Sequence, residues 1–527
     1  MRKFFWPLIV SISLSLGILL GGFIVSASYR GKTGFYTNHN KLKLNRLIDF
    51  IEQEYVDNVD TDSIVDRTVT TILEQLDPHS IYIAKNELQS VTESMQGSFV
   101  GIGINYYYFN DSIAVIKDIV DGPSFKAGIK PGDRIISADG KVLFGKNVTT
   151  DSISKYLRGD VNTNVQLEIY RKTANKKLKV TVNRQPIPIK SVDIALKLED
   201  GRGYIKINRF ASTTHEEFNT VLKDLLKQDI SSLILDLRDN GGGYMDQAIR
   251  MLDDLLEKNQ VIVKTINKGG MEQVTKSKGT GLFTDKPLYV LINENSASAS
   301  EIIAGAIQDN DRGTIVGRRS FGKGLVQREL MLGDGSAIRL TTARYYTPSG
   351  RSIQKSYKMG VEEYNNDFRT RYTHGELYAA DSIKIADSLQ YKTLKGRVVY
   401  GGGGIVPDMF VSIGNKHGDD TIVLLMKSGI VSYFVFQEID KARDTFDKMS
   451  KDQVIDYVMS DDKVFKAYVK HLESNKLFFK LDKRKQIVKR FLVGEFLSQL
   501  YTAEDYYHWM LTVDPMIKKI DEKVTKK

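Results

Sequence analysis

Ser298 stands in a run of small residues, Asn295-Ser-Ala-Ser-Ala-Ser300, and Lys323 stands between two glycines in Ser320-Phe-Gly-Lys-Gly324. A serine hydroxyl is a poor nucleophile until a neighbouring base takes its proton. The chain has seven histidines, at 39, 79, 215, 374, 417, 471 and 508, and none is near Ser298 in sequence. Lysine can serve instead where an apolar pocket disfavours its charged form and lowers its pKa from about 10.4 toward neutrality. The alanines and isoleucines around Ser298 suit that requirement.

The elements that must position these groups follow from the flanking pattern. Pro287–Asn293 reads as a buried strand, Glu294–Ser300 as a tight turn and Glu301–Gln308 as a helix. The serine cluster then lies at a helix N-terminus, where free N–H groups and the helix dipole favour a developing oxyanion. Ser320–Gln327 begins as a glycine-flanked turn and becomes a strand, so the two-residue period sets Lys323 and Gln327 on one face. Gln327 is therefore placed to orient the lysine. A plainer reading exists: Ser298-Ala-Ser-Glu301 also fits a capping box, which only satisfies the first amides of a helix. A third segment, Leu233–Gly243, is an apolar strand entering the triple glycine Gly241-Gly-Gly243 before an amphipathic helix, Tyr244–Leu256. Glycine there lets bare amides approach a ligand, or merely closes a turn. Two strand-turn-helix units would bring both turns to the carboxyl edge of one sheet, where α/β proteins bind ligands.

At this point the chain resembles the carboxyl-terminal processing (tail-specific) serine proteases. The resemblance rests on Asp236-Leu-Arg-Asp-Asn-Gly-Gly-Gly243, Asn295-Ser-Ala-Ser-Ala-Ser-Glu-Ile302, Gly322-Lys-Gly-Leu-Val-Gln327, Tyr346-Thr-Pro-Ser-Gly-Arg351 and Gly403-Gly-Ile-Val-Pro-Asp408. In that family a serine, a lysine 25 positions on and a glutamine four further form the catalytic group, the spacing of Ser298, Lys323 and Gln327. The resemblance implies that Ser298 is the nucleophile, Lys323 the general base and Gln327 its orienting partner. It also implies an oxyanion hole from the amide of Ala299 and one of Gly241, Gly242 and Gly243, with the choice among the glycines left open. The implied fold is an α/β protease core of crotonase-like ββα units.

Upstream, Gly101-Ile102-Gly103-Ile104, Ser112–Val120 and Gly122-Pro-Ser-Phe-Lys-Ala-Gly-Ile-Lys-Pro-Gly-Asp-Arg-Ile135 look like a PDZ domain. The turn Gly101–Ile104 would hold a chain-terminal carboxylate on its amides, and the following strand would offer an edge for an added peptide strand. A PDZ domain that binds nothing is the plainer alternative. A nucleotide loop is rejected, because no Gly-x-Gly-x-x-Gly or Walker pattern follows.

Arg2 and Lys3 precede a stretch from Phe4 to Ala27 without a charged residue, about the length of a membrane-spanning helix. The positive-inside rule puts these cations in the cytoplasm and the remaining chain outside, giving a single-pass anchor in the inner membrane and an extracytoplasmic, periplasmic catalytic part. Val25-Ser-Ala27 is an alternative signal-peptidase site. With no cysteine, disulfides, thiol chemistry and a lipid on an N-terminal cysteine are excluded. No Cys/His metal cluster is visible, so neither metal nor cofactor is expected. The net charge of +10, from 75 basic and 65 acidic side chains, is spread along the chain without a nucleic-acid motif. It suits a resting place near an anionic membrane.

At 527 residues and 41% hydrophobic, the chain has room for several domains. The expected division is an anchor at 1–27, a helical segment at 40–91, the PDZ domain at 92–185 inserted ahead of an α/β protease core at 186–413, and a helical C-terminal extension at 414–527. Helical spacing marks Leu44–Tyr55 and Ile64–Leu76, the latter ending at Asp77-Pro78, and later Val454–Leu472, Lys485–Leu500 and Ala503–Val513. The basic run Lys483-Arg-Lys485 with Lys489-Arg490 reads as a solvated helix face, or as a contact for anionic lipid. The expected partners are polypeptides with exposed C-termini and the membrane, with a homo-oligomer or an activating adaptor left open. The expected activity is serine endopeptidase. Its rivals are a non-catalytic PDZ scaffold, a ligand carrier like the retinoid-binding relatives of this core, and a crotonase-like acyl-CoA enzyme.

Overall fold

Period-two alternation builds the centre of the molecule. In the computed structural model Val192–Lys197 (β1), Gly203–Ile207 (β2), Leu233–Asp236 (β3), Leu288–Ile292 (β4), Thr314–Gly317 (β5) and Met409–Phe410 (β6) form a sheet in that order. The β1–β2 pair is antiparallel and every later pair is parallel. Along β3 and β4, Leu233, Leu235, Leu288, Val290 and Ile292 face one core, while Ile234 and Leu291 face another. The first core is closed by helices Thr214–Lys227 (α1), Met245–Leu255 (α2) and Ala299–Asp309 (α3), through Phe218, Leu222, Met251, Leu252, Ile303 and Ile307. Each such side chain, fully buried, contributes about 1.5–3 kcal/mol before chain entropy is counted.

The structure describes residues 39–119, 121–145, 148–279, 281–384, 387–414 and 419–525, with 11, 13 and 15–17. The expected membrane helix at 1–27 lies outside these residues apart from 11, 13 and 15–17. Among the described residues, no helix is long and apolar enough to cross a membrane. The chain forms two units, 1–73 and 74–527. The first holds helix His39–Glu54 and most of helix Thr61–Glu74, close to the expected pair.

Within the second unit the segment after residue 414 builds a helical core of its own and packs its last helices on the central sheet. Helices Asp419–Lys427 (α4) and Ile430–Lys441 (α5) share a helical core with Lys485–Leu500. Helices Ala503–Leu511 (α6) and Pro515–Thr525 (α7) bring Leu511, Met516, Ile517 and Ile520 onto the second face of the sheet. The expected Val454–Leu472 helix is two helices, Lys451–Met459 and Lys463–Ser474. The reading of 483–490 as a solvated face is corrected. Lys489 is 2% exposed and donates to the Met459 and Asp461 carbonyls, so it closes a helix corner from inside, while Lys483 stays exposed.

A second sheet pairs Ala337–Tyr346 with Leu325–Met331 on one side and with Ile81–Ile83 and Val261–Asn267 on the other. The PDZ sheet runs Ile104–Phe109, Ser112–Asp118, Arg134–Ala138, Asn164–Arg171 and Lys176–Asn183, over a core of Ile113, Ile135, Val165 and Ile169. Ile104–Phe109 is one edge strand and Lys176–Asn183 the other. The strand after Ser112, by contrast, is paired on both sides.

Candidate active site

Both turns singled out in the sequence leave the carboxyl ends of neighbouring parallel strands, the glycine turn from β3 and the serine turn from β4. Asp236, 0% exposed, closes β3 by gripping Arg238 through two oxygens and accepting from Tyr204 at 2.6 Å. The two turns are then laced together. The Asn240 carbonyl accepts the Ala297 N–H at 3.0 Å and the Ser300 hydroxyl at 2.9 Å, and Asp239 Oδ1 accepts from the amides of Asn293 and Asn295. Gly242 is held at φ 99°, and a Cβ there would lie 2.7 Å from Ser298 Cβ. Only glycine allows that approach.

Ser298, the N-cap of α3, is half-buried at φ 57° and ψ −113°, a conformation that L-residues avoid unless surrounding structure imposes it. With Glu301 it forms the capping-box arrangement that its spacing suggested. Its partner Glu301 has a larger part. The 0% exposed carboxylate accepts the N–H of Ser298 at 2.9 Å and of Lys323 at 2.8 Å on one oxygen. On the other it accepts the Gly322 N–H at 2.7 Å and the Ser320 hydroxyl at 2.5 Å. One buried side chain thereby fixes the serine turn against the lysine turn. Burial pushes its carboxyl above the usual range, and these donors pull it back. Tyr345, from the second sheet, reaches the carbonyls of the same two residues, donating to Ser298 O at 3.1 Å and Lys323 O at 2.6 Å.

Lys323 precedes strand Leu325–Met331, and its Nζ donates to Gln327 Oε1 at 2.9 Å, so the two meet as their spacing suggested. Burial lowers the lysine pKa, the Arg339 charge adds to the effect, and Glu301 and Asp77 oppose it. Among the described residues no hydrogen bond joins Ser298 Oγ to Lys323 Nζ. The amide orientation of Gln327 is set by its other end, where Nε2 donates to the His79 carbonyl. Asp77 shapes that turn, accepting the N–H groups of His79 and Ser80 at 2.8 and 2.9 Å and the Ser80 hydroxyl at 2.7 Å. The His79 ring lies edge-on to Tyr364 and Phe321, with Nε2 2.6 Å from the Tyr364 hydroxyl. Burial, then the charge of Lys323, pushes its pKa down to about 4.

The residues expected to supply oxyanion donors are brought together. Gly242 N–H is committed to Asn240 Oδ1 at 2.9 Å. The N–H groups of Gly241, Gly243 and Ala299 have no acceptor among the described residues. Such an arrangement joins a serine of strained backbone to the turn that carries a desolvated amine, with unpaired backbone donors in the serine and glycine turns. The PDZ loop residues Gly101, Ile102, Gly103 and Ile104 lie elsewhere, at the start of the PDZ edge strand. There Ile102 is buried, its carbonyl taken by the Ser124 N–H and hydroxyl, and Gly103 has φ 74°.

Sequence reasoning reached Ser298, Lys323 and Gln327 but not their supports. Glu301 was visible only as a capping-box partner, and Asp77-Pro78 only as a helix stop. His79 passed as an ordinary histidine. Arg371 carried no local signal at all: 3% exposed, it donates to the carbonyls of Arg319, Ser320 and Phe321 and so clamps the lysine turn.

The comparisons agree with this architecture. The profile of Peptidase family S41 matches residues 201–363, and that of the PDZ domain matches residues 100–182. The Carboxy-terminal-processing protease of Bartonella bacilliformis is 36% identical over 346 residues, 64% of this chain and 79% of that protein. The Carboxy-terminal processing proteases CtpB and CtpA of Bacillus subtilis are each 33% identical, over 61% and 67% of this chain and 66% and 75% of their own lengths. The two profile matches together span both turns and the PDZ sheet. The chain therefore belongs to peptidase family S41, as a carboxy-terminal processing serine protease with a PDZ domain.

Proposed function

We propose that the chain cleaves polypeptides near their C-termini with Ser298 as nucleophile and Lys323 as general base. The observation that carries this reading is the joining of a strained Ser298 turn to a desolvated Lys323 turn, both backbone N–H groups being held by the buried Glu301 carboxylate. Neutral Lys323 Nζ takes the hydroxyl proton as Ser298 Oγ bonds to the scissile carbonyl carbon. The oxyanion is received by the Ala299 N–H together with that of Gly241 or Gly243. The lysine then returns its proton to the leaving amine, and water releases the acyl group by the reverse sequence. In the apo site Lys323 rests on Gln327 and turns to the serine when substrate closes the site, since catalytic hydrogen bonds tighten in the complex.

The edge strand Ile104–Phe109 and the turn Gly101–Ile104 receive the C-terminal residues of the substrate, the turn its carboxylate and the strand its backbone. Parallel strands each followed by a turn and a helix support a crotonase-like ancestry for the core. Phe4–Ala27 anchors the enzyme in the inner membrane with its catalytic part outside the cytoplasm.

The test is degradation of an unfolded reporter with a free apolar tail by the 28–527 chain and its Ser298→Ala form, with products followed by mass spectrometry. Cleavage by the parent alone is expected. Cleavage by both would remove Ser298 from the chemistry, and cleavage by neither folded protein would favour a peptide-binding scaffold.

A further inference from the structure

The side chain that steadies Lys323 has two unlike ends, and both are in use. Gln327 Oε1 accepts from Lys323 Nζ at 2.9 Å, while Nε2 donates to the His79 carbonyl. A neutral amine has a single lone pair. An oxygen facing Nζ takes one of its hydrogens and leaves that pair free, whereas a reversed amide would turn an N–H onto the electrons a base needs. The His79 carbonyl, which accepts only the nitrogen end, therefore decides what Lys323 meets.

Asp77 builds the turn that presents this carbonyl. Asp77 is 7% exposed, and its Oδ1 accepts the N–H groups of His79 and Ser80 while Oδ2 accepts the Ser80 hydroxyl. A turn of this kind is common and by itself only closes a loop. Here it is also joined to the strand behind Gln327. Thr341 donates its hydroxyl to Asp77 Oδ1 at 3.2 Å and its N–H to Ser80 Oγ at 3.1 Å. Thr341 stands directly opposite Gln327 across the pair Leu325–Met331 and Ala337–Tyr346, where the register shifts between Val326 and Gln327. Such a bulge re-aims the side chain beside it. Asp77, the His79 carbonyl, Gln327 and Thr341 thus close a ring, and Ile81–Ile83 continues the turn as a strand paired to Arg339, Ile338 and Ala337. The charges acting on Lys323 come from three elements: Arg339 from the paired strand, Glu301 from α3 and Asp77 from this turn, whose His79 ring is uncharged above pH about 4.

We propose that Asp77 is a positioning residue of the active site: through the His79 carbonyl it holds the Gln327 amide with its oxygen toward Lys323, leaving the amine lone pair for the Ser298 proton. This rests on the reading of Lys323 as general base. It gives the segment ahead of the PDZ domain a part in the chemistry of the protease core.

The experiment follows kcat/KM against pH for an unfolded reporter cleaved by the full chain, Asp77→Asn and Asp77→Ala, with folding checked by circular dichroism. Both variants remove the same charge from beside Lys323, so the difference between them reports the turn alone. Asp77→Asn keeps an acceptor oxygen for the His79 and Ser80 amides, and its high-pH plateau is expected within about threefold of the parent. Asp77→Ala frees the carbonyl and the amide, and its plateau is expected at least about tenfold below that of Asp77→Asn. Its half-rise is also expected at lower pH than that of Asp77→Asn, because an amine that loses its acceptor, or gains a donor, holds its proton less firmly. Should Asp77→Ala fail to fold, Asp77→Ser, which keeps a weaker acceptor, carries the comparison and is expected to shift plateau and half-rise in the same directions. Equal plateaus for the alanine (or serine) and asparagine variants overturn the proposal, and so does a lowered plateau with an unmoved half-rise, which a merely structural role would give. Parental activity in Lys323→Ala would instead remove the general-base reading, and this proposal with it.

Discussion

At the scale of residues, the protonation state of Lys323 sets the expected pH behaviour. Burial lowers its pKa from the ordinary 10.5, and only the neutral amine can accept the serine proton. kcat/KM should therefore rise with pH as the lysine loses its proton and level off above the lowered pKa; a half-rise at or above 10.5 would rule the base out. Glu301→Gln replaces two acceptor oxygens, each holding two donors, with one oxygen and an amide that opposes N–H groups. It should reduce kcat/KM at least about a hundredfold and cost about 2–4 kcal/mol in denaturant unfolding. Unchanged activity would show that the two turns do not need this clamp. His79 has a folded pKa of about 4 against 6.5 unfolded, so between those values the unfolded chain binds more protons. Its contribution is complete above pH 6.5 and is lost as pH falls toward 4, and thermal unfolding of His79→Asn should show a flatter decline over that window.

At the scale of elements, α7 is held to the protease sheet chiefly by its buried apolar face, with Asp521 paired to Arg202 at its margin. Ile520 is 0% exposed, and Ile520→Ala should destabilise the protein by about 2–5 kcal/mol in urea unfolding; a loss below about 0.5 kcal/mol would mean that α7 is not part of the cooperative core. The strands β3 and β4 and the turns after them were legible in sequence, because buried parallel strands read as apolar runs and their turns require glycine or small residues. The break between Lys451–Met459 and Lys463–Ser474 was not, since the apolar spacing continues across Ser460–Asp462. The basic run near Lys489 misled for a related reason. Composition gives the charge of a helix, not which face a neighbouring helix covers.

At the scale of the whole molecule, residues 419–525 attach to the remainder of the second unit at several places, two of them extended. α6 and α7 cover the second face of the core sheet, and α5 receives the PDZ edge strand. A chain ended after residue 413 would leave Ile234, Leu291 and Val316 facing water and should aggregate or lose cooperative unfolding by circular dichroism; a soluble, two-state and active truncation would make the C-terminal helices dispensable.

The residue types proposed for catalysis, their order and their family resemblance are written in local segments, because a serine turn, a glycine turn and a lysine between glycines each constrain only their own backbone. The supports are not local. Glu301 meets the lysine turn 21 and 22 residues away, and Gln327 meets His79 across 248. Such contacts depend on which strands become neighbours and which helices cover them, and that order is decided by the burial of whole faces in the folded chain.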